Sequence, residues 1–327
     1  MKKLSIIITH YNEDWEICKP MFDSIASQLG VDFKEIEVIV AQDGDADDVY
    51  LEKITRNDYP FNIVLYTQKK KGVSCARNLG LLNAEGEYVM FCDCDDRFIS
   101  AYGLHLMMKN FGKYDLIKSP FVEDQIVDGE LKLIRHEHDV TFVHGKMWRK
   151  QFLIDNKIKF KEELTIHEDA FFNVLGNMLA ENQHELQPAV YLWKYNDKSV
   201  VRKDKDLFLY KSYDNLMDCR IAICRELYDR GFITEFYQGV SKTVIDSYYD
   251  FQKPEALDPK NKDLIEKAEK AFSKYYKEFR EFYNEINVND IAQMMYICRT
   301  NAYVNNMRIE QETLSQFLTR IVKTYLS

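Results

Sequence analysis

Five apolar residues in a row, Tyr88-Val89-Met90-Phe91-Cys92, run directly into Asp93-Cys94-Asp95-Asp96. The run is too short for an ordinary helix and has the length of a buried strand. Its end carries three carboxylates within four residues. Like charges this close repel, so at least one either holds its proton or shares a cation. Ligands that are all oxygen suit Mg²⁺ or Mn²⁺, which in turn hold phosphate oxygens. The plainer alternative is a solvated loop whose acids merely stop the strand.

The preceding residues show the kind of sheet to which such a strand belongs. Leu4 to Thr9 is a second apolar run, followed by His10-Tyr11-Asn12-Glu13. A helix then places Ile17, Met21, Ile25 and Leu29 on one face. Ile36 to Ala41 ends in Gln42-Asp43-Gly44-Asp45, a helix spans about 47 to 55, and Asn62 to Tyr66 is a further strand. Strands alternating with helices predict βαβ units in a parallel sheet. Ligands of such sheets sit beyond the carboxyl ends of the strands. Thr9, Asp43 and Asp93 all stand at those ends.

Between the third strand and the acidic one lies Gly72-Val73-Ser74-Cys75-Ala76-Arg77-Asn78-Leu79-Gly80. With Asp93-Cys94-Asp95-Asp96 following, the segment resembles family 2 glycosyltransferases of the GT-A fold. In that family a Gly-x-Ser-x-Ala-Arg-Asn-x-Gly helix precedes a strand ending in Asp-x-Asp-Asp. The resemblance covers about residues 1 to 205. It implies a Rossmann-like mixed α/β sheet flanked by helices, and metal-dependent, inverting transfer from a UDP-sugar to a hydroxyl. Thr9, Tyr11, Asn12 and Glu13 would frame the nucleotide, and Asp43 would accept from the uracil N3–H. Arg77 would lie near the nucleotide as a forked donor that lysine cannot mimic. Asp93-Cys94-Asp95 would meet the donor, Asp95 anchoring Mn²⁺ or Mg²⁺ with Asp93 beside it. The family often has Asn where this chain has Lys70, within Lys69-Lys70-Lys71. A solvated charge run is the simpler reading of that triplet.

Further along, a helix is expected near 100 to 110 and a strand at 115 to 119. Val127-Asp128-Gly129-Glu130 signals a hairpin. By resemblance, Lys146 and Trp148 would line the sugar pocket, although a Trp is more often core. His167-Glu168-Asp169 opens a helix whose buried face holds Phe172, Leu175 and Leu179. Acids in a first helical turn suit the dipole without any function. The family, however, uses such a pair with its second member as catalytic base, which falls on Asp169 beside Glu168. A carboxylate there can take the proton of an acceptor hydroxyl, itself a poor nucleophile. A last strand is expected at 187 to 193. Lys198 and Arg202 match a basic segment that closes over the diphosphate.

The remaining features narrow the class. A formal net charge of −9 argues against a general nucleic-acid binder, though not against a local basic groove. No window approaches the ~20 apolar residues of a membrane span, and Met1-Lys2-Lys3 leads straight into a strand without a signal-peptide pattern. Seven cysteines without a Cys-x-x-Cys pair read as reduced thiols, so the expected location is cytoplasmic. His136, His138, His144 and His167 form no recognised zinc spacing. A sugar nucleotidyltransferase would need a Gly-rich loop after the first strand, where this chain has its first glycine at Gly30. A non-catalytic nucleotide-sugar or partner-binding protein on the same scaffold is the other rival.

From 206 to 327 the pattern becomes helical. It includes an apolar stripe of Leu264, Ala268, Phe272, Tyr275, Phe279, Phe282 and Ile286, and a last amphipathic helix over 308 to 326. This region is a candidate for acceptor recognition or homo-oligomerisation. The donor partner is a nucleotide-sugar. The acceptor stays open among a glycan, a lipid-linked saccharide, a protein and a modified nucleic acid.

Overall fold

Strands Leu4–His10 (β1) and Ile36–Asp43 (β2) are buried along their whole length. Largely apolar sequence gives this result when helices cover both faces of a parallel sheet. The structure is a computed structural model that describes residues 1–46, 48–56, 58–127, 129–196, 205–304 and 312–327. It comprises two compact units, Met1–Ser199 and Val200–Ser327.

The other strands of the first unit are Asn62–Gln68 (β3), Tyr88–Asp93 (β4), Arg97–Phe98 (β5), Leu116–Lys118 (β6), Phe121–Val127 (β7), Glu130–His136 (β8), Lys146–Arg149 (β9), Gln183–Glu185 (β10) and Tyr191–Trp193 (β11). Seven of them form one sheet in the order β10-β6-β9-β4-β1-β2-β3. All pairs in it are parallel except those of β9, which runs against β4 and β6. A second sheet has the order β5-β11-β7-β8, and β7 and β8 form the expected hairpin.

Alternate residues of β1 enter opposite layers. Ile6 and Ile8 join the core under helices Trp15–Ala26 (α1), Asp48–Arg56 (α2) and Gly103–Met108 (α4). Ile7 joins Phe91, Trp148, Phe152 and Phe172 on the other side, with helices Val73–Asn83 (α3), Lys150–Asp155 (α5) and Glu168–Leu179 (α6). Two expectations shift. The buried face of α1 is Trp15, Cys18, Met21, Phe22 and Ile25, and Leu29 lies past the helix end, exposed. The last strand begins at Tyr191 rather than 187, and β10 had no apolar run to announce it.

The second unit is helical: Lys205–Lys211 (α7), Tyr213–Asp229 (α8), Ile233–Asp250 (α9), Pro254–Leu257 (α10), Lys262–Glu285 (α11), Val288–Val304 (α12) and Leu314–Ile321 (α13). The long α11 packs on α8 and α9 through Ile265, Ala268, Phe272, Tyr275, Phe279 and Tyr283. The centre of the stripe is the expected one, but Ile265 and Tyr283 are buried in place of Leu264 and Phe282, and Ile286 lies past the helix end. The last helix starts at Leu314, within the 308 to 326 expected. Among the described residues no helix is long and apolar enough to cross a membrane.

Candidate active site

The register of the sheet creates the site. Thr9 and Asp93 are direct partners across β1 and β4, at the carboxyl end of the sheet. The Thr9 hydroxyl donates to Asp93 Oδ1 at 3.3 Å. Helix α3 lies so close to β1 that a Cβ on Gly80 would come within 2.3 Å of Ile7 Cγ2. That approach brings Arg77, one turn earlier, over the strand ends. Its Nη2 donates to Asp93 Oδ1 at 2.9 Å and its Nη1 to Glu168 Oε1 at 2.7 Å. The guanidinium therefore joins the end of β4 to the start of α6, which are 75 residues apart in sequence.

Four carboxyls around this link have separated acidities. Burial alone raises Asp93, but the Arg77 guanidinium outweighs it and holds that carboxyl below its ordinary value. Asp95, with one hydrogen bond from Asn196 at 2.8 Å, is raised by burial and by the nearby Asp93. Asp96 is wholly buried and pushed well up by burial and its two neighbours. Asp169 is pushed up to about 7, first by burial and then by the Glu168 charge. His167, which caps α6, has φ 66°, a left-handed backbone uncommon for a residue with a side chain.

Arg77, divided between Asp93 and Glu168, does not balance three aspartates on one turn. Buried Nδ1 of His144, 3.6 Å from Asp96 Oδ2, has no hydrogen-bond partner. Oxygen-rich donors with a surplus of negative charge fit a divalent cation. Asp93, Asp96 and His144 each offer an atom within 4.8 Å of the others.

On the opposite flank Asp43 ends β2, buried. Its Oδ1 accepts from Gln68 Nε2 at 2.9 Å and the Lys71 N–H at 2.7 Å, and its Oδ2 from the Gly72 N–H at 2.9 Å. It thus holds the turn into α3, where Gly72 takes φ 100°. Lys70 lies 4.2 Å over the Tyr11 ring and donates to its hydroxyl. Glu13 Oε2 accepts from the N–H groups of Tyr11 and Asn12 at 2.9 and 3.2 Å, so the carboxylate shapes its own loop.

Residues 5–175, more than half of the chain, match the family described as Glycosyl transferase family 2. The chain belongs to glycosyl transferase family 2. Within the family it is 29% identical over 211 residues to the poly(ribitol-phosphate) beta-N-acetylglucosaminyltransferase TarS of Staphylococcus aureus, covering 59% of this chain and 35% of TarS. It is 33% identical over 111 residues to the GalNAc(5)-diNAcBac-PP-undecaprenol beta-1,3-glucosyltransferase of Campylobacter jejuni, covering 33% of this chain and 35% of that enzyme. The matched segment thus spans about a third of each of these curated relatives. The fold resembles that of TarS 1–349 crystallised with UDP (TM-score 0.60, 17% identity, 95% of this chain and 94% of that one). It also resembles the mannosyltransferase PcManGT of Pyrobaculum calidifontis in complex with GDP-Man and Mn²⁺ (TM-score 0.51, 12% identity, 99% and 87%). These likenesses establish the GT-A fold. They also extend into the C-terminal helical unit, beyond the region in which the sequence resembles the family.

Of the family 2 residues expected from sequence, Thr9, Arg77, Asp93 and Glu168 are joined by hydrogen bonds, with Asp169 beside them. Tyr11, Asn12, Glu13 and Asp43 occupy the neighbouring strand ends. Cys94 is not directed to this group: it is buried in the core that includes Cys18. Trp148 is also core, 1% exposed, because α6 presses Gly176 against its ring. Lys146 is buried and turned to Asp139 at 2.8 Å and the Phe142 carbonyl at 2.6 Å. Lys198 and Arg202 lie outside the described residues. The four histidines considered for zinc go separate ways. His136 pairs with Glu123, His138 with Glu185, His144 faces Asp96, and His167 caps α6. Asn196 and Tyr191, which reach the acidic turn, gave no sequence signal, since neither belongs to a local motif.

Proposed function

We propose that this chain transfers a hexose or N-acetylhexosamine from a UDP-sugar to an acceptor hydroxyl, with inversion. The observation that carries the reading is the Arg77 bridge between Asp93 and Glu168, which sets the acidic pair of α6 beside the turn at the end of β4. Asp169 acts as general base. Its pKa, pushed up to about 7, leaves a carboxylate basic enough to take a hydroxyl proton near neutral pH. Glu168 holds Arg77 and fixes the base in place. Asp43 and the Thr9–Glu13 loop bind the uridine, with Tyr11 offering a ring for the base. A divalent cation, Mn²⁺ or Mg²⁺, is held at Asp93 with Asp95 of the same turn. When bound, it supplies positive charge for the leaving diphosphate.

The UDP named with TarS supports a uridine donor, and the GDP-Man named with PcManGT makes guanosine donors the necessary control. The names of the two relatives support a glycan, lipid-linked glycan or polyol-phosphate acceptor. The test is release of nucleoside diphosphate from UDP-GlcNAc, UDP-glucose and GDP-mannose, with and without Mn²⁺. Metal-dependent release from a UDP-sugar is expected. No release and no thermal stabilisation by any UDP-sugar would overturn the reading.

A further inference from the structure

Lys146 opens β9, the strand that runs against β4 and β6. That reversal carries the first residue of β9 towards the carboxyl ends of its neighbours, where Lys146 directly opposes Lys118. Gly145 before it has φ 66°, and a Cβ there would come within 2.8 Å of Ser119 Oγ. The lysine that this turn delivers is 2% exposed. A buried ammonium is costly unless it is paired and hydrogen-bonded. Asp139 Oδ1 and the Phe142 carbonyl meet that need at 2.8 and 2.6 Å, which uses two of the three N–H groups.

Asp139 does more than neutralise the lysine. Its carboxylate also accepts from the Thr141 N–H at 3.1 Å, the Thr141 hydroxyl at 2.9 Å and the Phe142 N–H at 2.9 Å. The Thr141 carbonyl in turn accepts from Nδ2 of Asn173, which also donates to the Asp169 carbonyl, both at 2.9 Å. Asn173 is buried on α6, one turn beyond Asp169. A continuous chain of bonds thus runs from Lys146 through Asp139, Thr141 and Asn173 to the backbone of Asp169. The carboxylates that act on the ammonium are Asp139, in contact, and then Asp169. Stability alone does not call for this pair, because apolar residues of similar volume often do as well as a buried ion pair.

We propose that Lys146 is a positioning residue for the base: its ammonium, shared between Asp139 and Asp169, steadies the first turn of α6 and the charge of the Asp169 carboxylate. The inference rests on the assignment of Asp169 as base in the proposed function. The other charges acting on Asp169 are Glu168 on its own helix, Arg77 from α3 and Asp93 from β4. Lys118 of β6 acts on Lys146 itself. His144, beside Lys146, is lowered to about 4, chiefly by burial, and is uncharged near neutral pH. Asp139 and Lys146 therefore pull Asp169 in opposite directions. The lysine favours the carboxylate, and Asp139 draws part of that support away.

The test is the rate–pH profile of the whole chain, read as UDP release from UDP-GlcNAc or UDP-glucose with Mn²⁺, water serving as acceptor. Lys146→Met removes a positive charge, so the midpoint should move to higher pH. Asp139→Asn leaves the ammonium to Asp169, so the midpoint should move to lower pH. Each shift should be about half a unit to one unit, less than a charge in contact gives. The KM for the donor should be nearly unchanged in both variants. A pair that only supports the fold would lower both rates without opposite shifts. Asp139→Asn keeps a carbonyl oxygen for the loop N–H groups and carries the test if the methionine variant does not fold. Midpoints that stay in place or move together, while Asp169→Asn is inactive, would overturn the inference and leave the base standing. A raised KM with an unmoved midpoint would assign Lys146 to the sugar pocket and overturn it as well. Full activity of Asp169→Asn, or no UDP release from either donor, would overturn the base reading and the inference together.

Discussion

Asp169 keeps its proton to about pH 7 because burial disfavours its charge and Glu168 adds a second negative group beside it. A base must be unprotonated to work, so turnover should rise with pH through about 7 and level off above it. Glu168→Gln removes the neighbouring charge and frees the Arg77 guanidinium, and both changes favour the carboxylate. The midpoint of the rate profile should therefore move to lower pH. Asp169→Asn should reduce turnover by about 10²–10⁴-fold while donor affinity, measured by calorimetry, is nearly unchanged. That split marks an interaction made mainly in the transition state. If the variant transfers sugar at the parent rate, the base lies elsewhere and Glu168 is the first residue to test. At Asp43 the proposed uridine contact would add to a structural duty, since three hydrogen-bond donors already hold its carboxylate. Asp43→Ala should cost about 1–3 kcal/mol for each donor left buried without an acceptor. It should also erase any preference for UDP over CDP, and equal affinities for the two in the parent protein would remove the uridine role.

The approach of helices to the sheet gives a second set of outcomes. Alanine normally improves a helix over glycine by about 1 kcal/mol. At Gly80 the new methyl would meet Ile7 at 2.3 Å, and at Gly176 the Trp148 ring at 2.6 Å. Both substitutions should lower stability, by about 1–3 kcal/mol of overpacking, measured from urea midpoints. Gly239→Ala is the contrast, because its methyl would meet only Cys224 Sγ, at 3.4 Å. It should be neutral or stabilising. The strands that carry Thr9, Asp43 and Asp93 were legible because an apolar run followed by punctuation needs no partner to be recognised. β10 was not, and β11 was legible only with a start four residues early, since strands of three residues have little pattern to show. The same limit explains Trp148. Its surroundings depend on Gly176, and no periodicity in either segment reveals that contact. His144, Tyr191 and Asn196 converge on the acidic turn from 48 to 101 residues away, a convergence set by topology alone.

At the scale of the molecule the chain comprises two units with separate internal packing. UDP with Mn²⁺ should raise the melting transition of the first unit, by an amount that grows with ligand concentration. Calorimetry of the whole chain reads this directly, and a transition unmoved at saturating UDP and Mn²⁺ would exclude donor binding there. Acceptor recognition by the helical unit would appear as stabilisation of the second transition by a candidate glycan. Arg77 has a consequence of its own, because one guanidinium bonds both Asp93, where the donor is proposed to bind, and Glu168 on the helix that carries the proposed base. A ligand that competes for Asp93 alters what Arg77 can give to Glu168, so the occupancies of the two half-sites become linked equilibria. Such linkage is reciprocal in free energy: the factor by which donor and metal change acceptor affinity must equal the factor returned by acceptor to donor. Arg77→Lys, with its single ammonium, can face only one side at a time. It should bring that factor close to one, leaving two half-sites that fill without regard to each other.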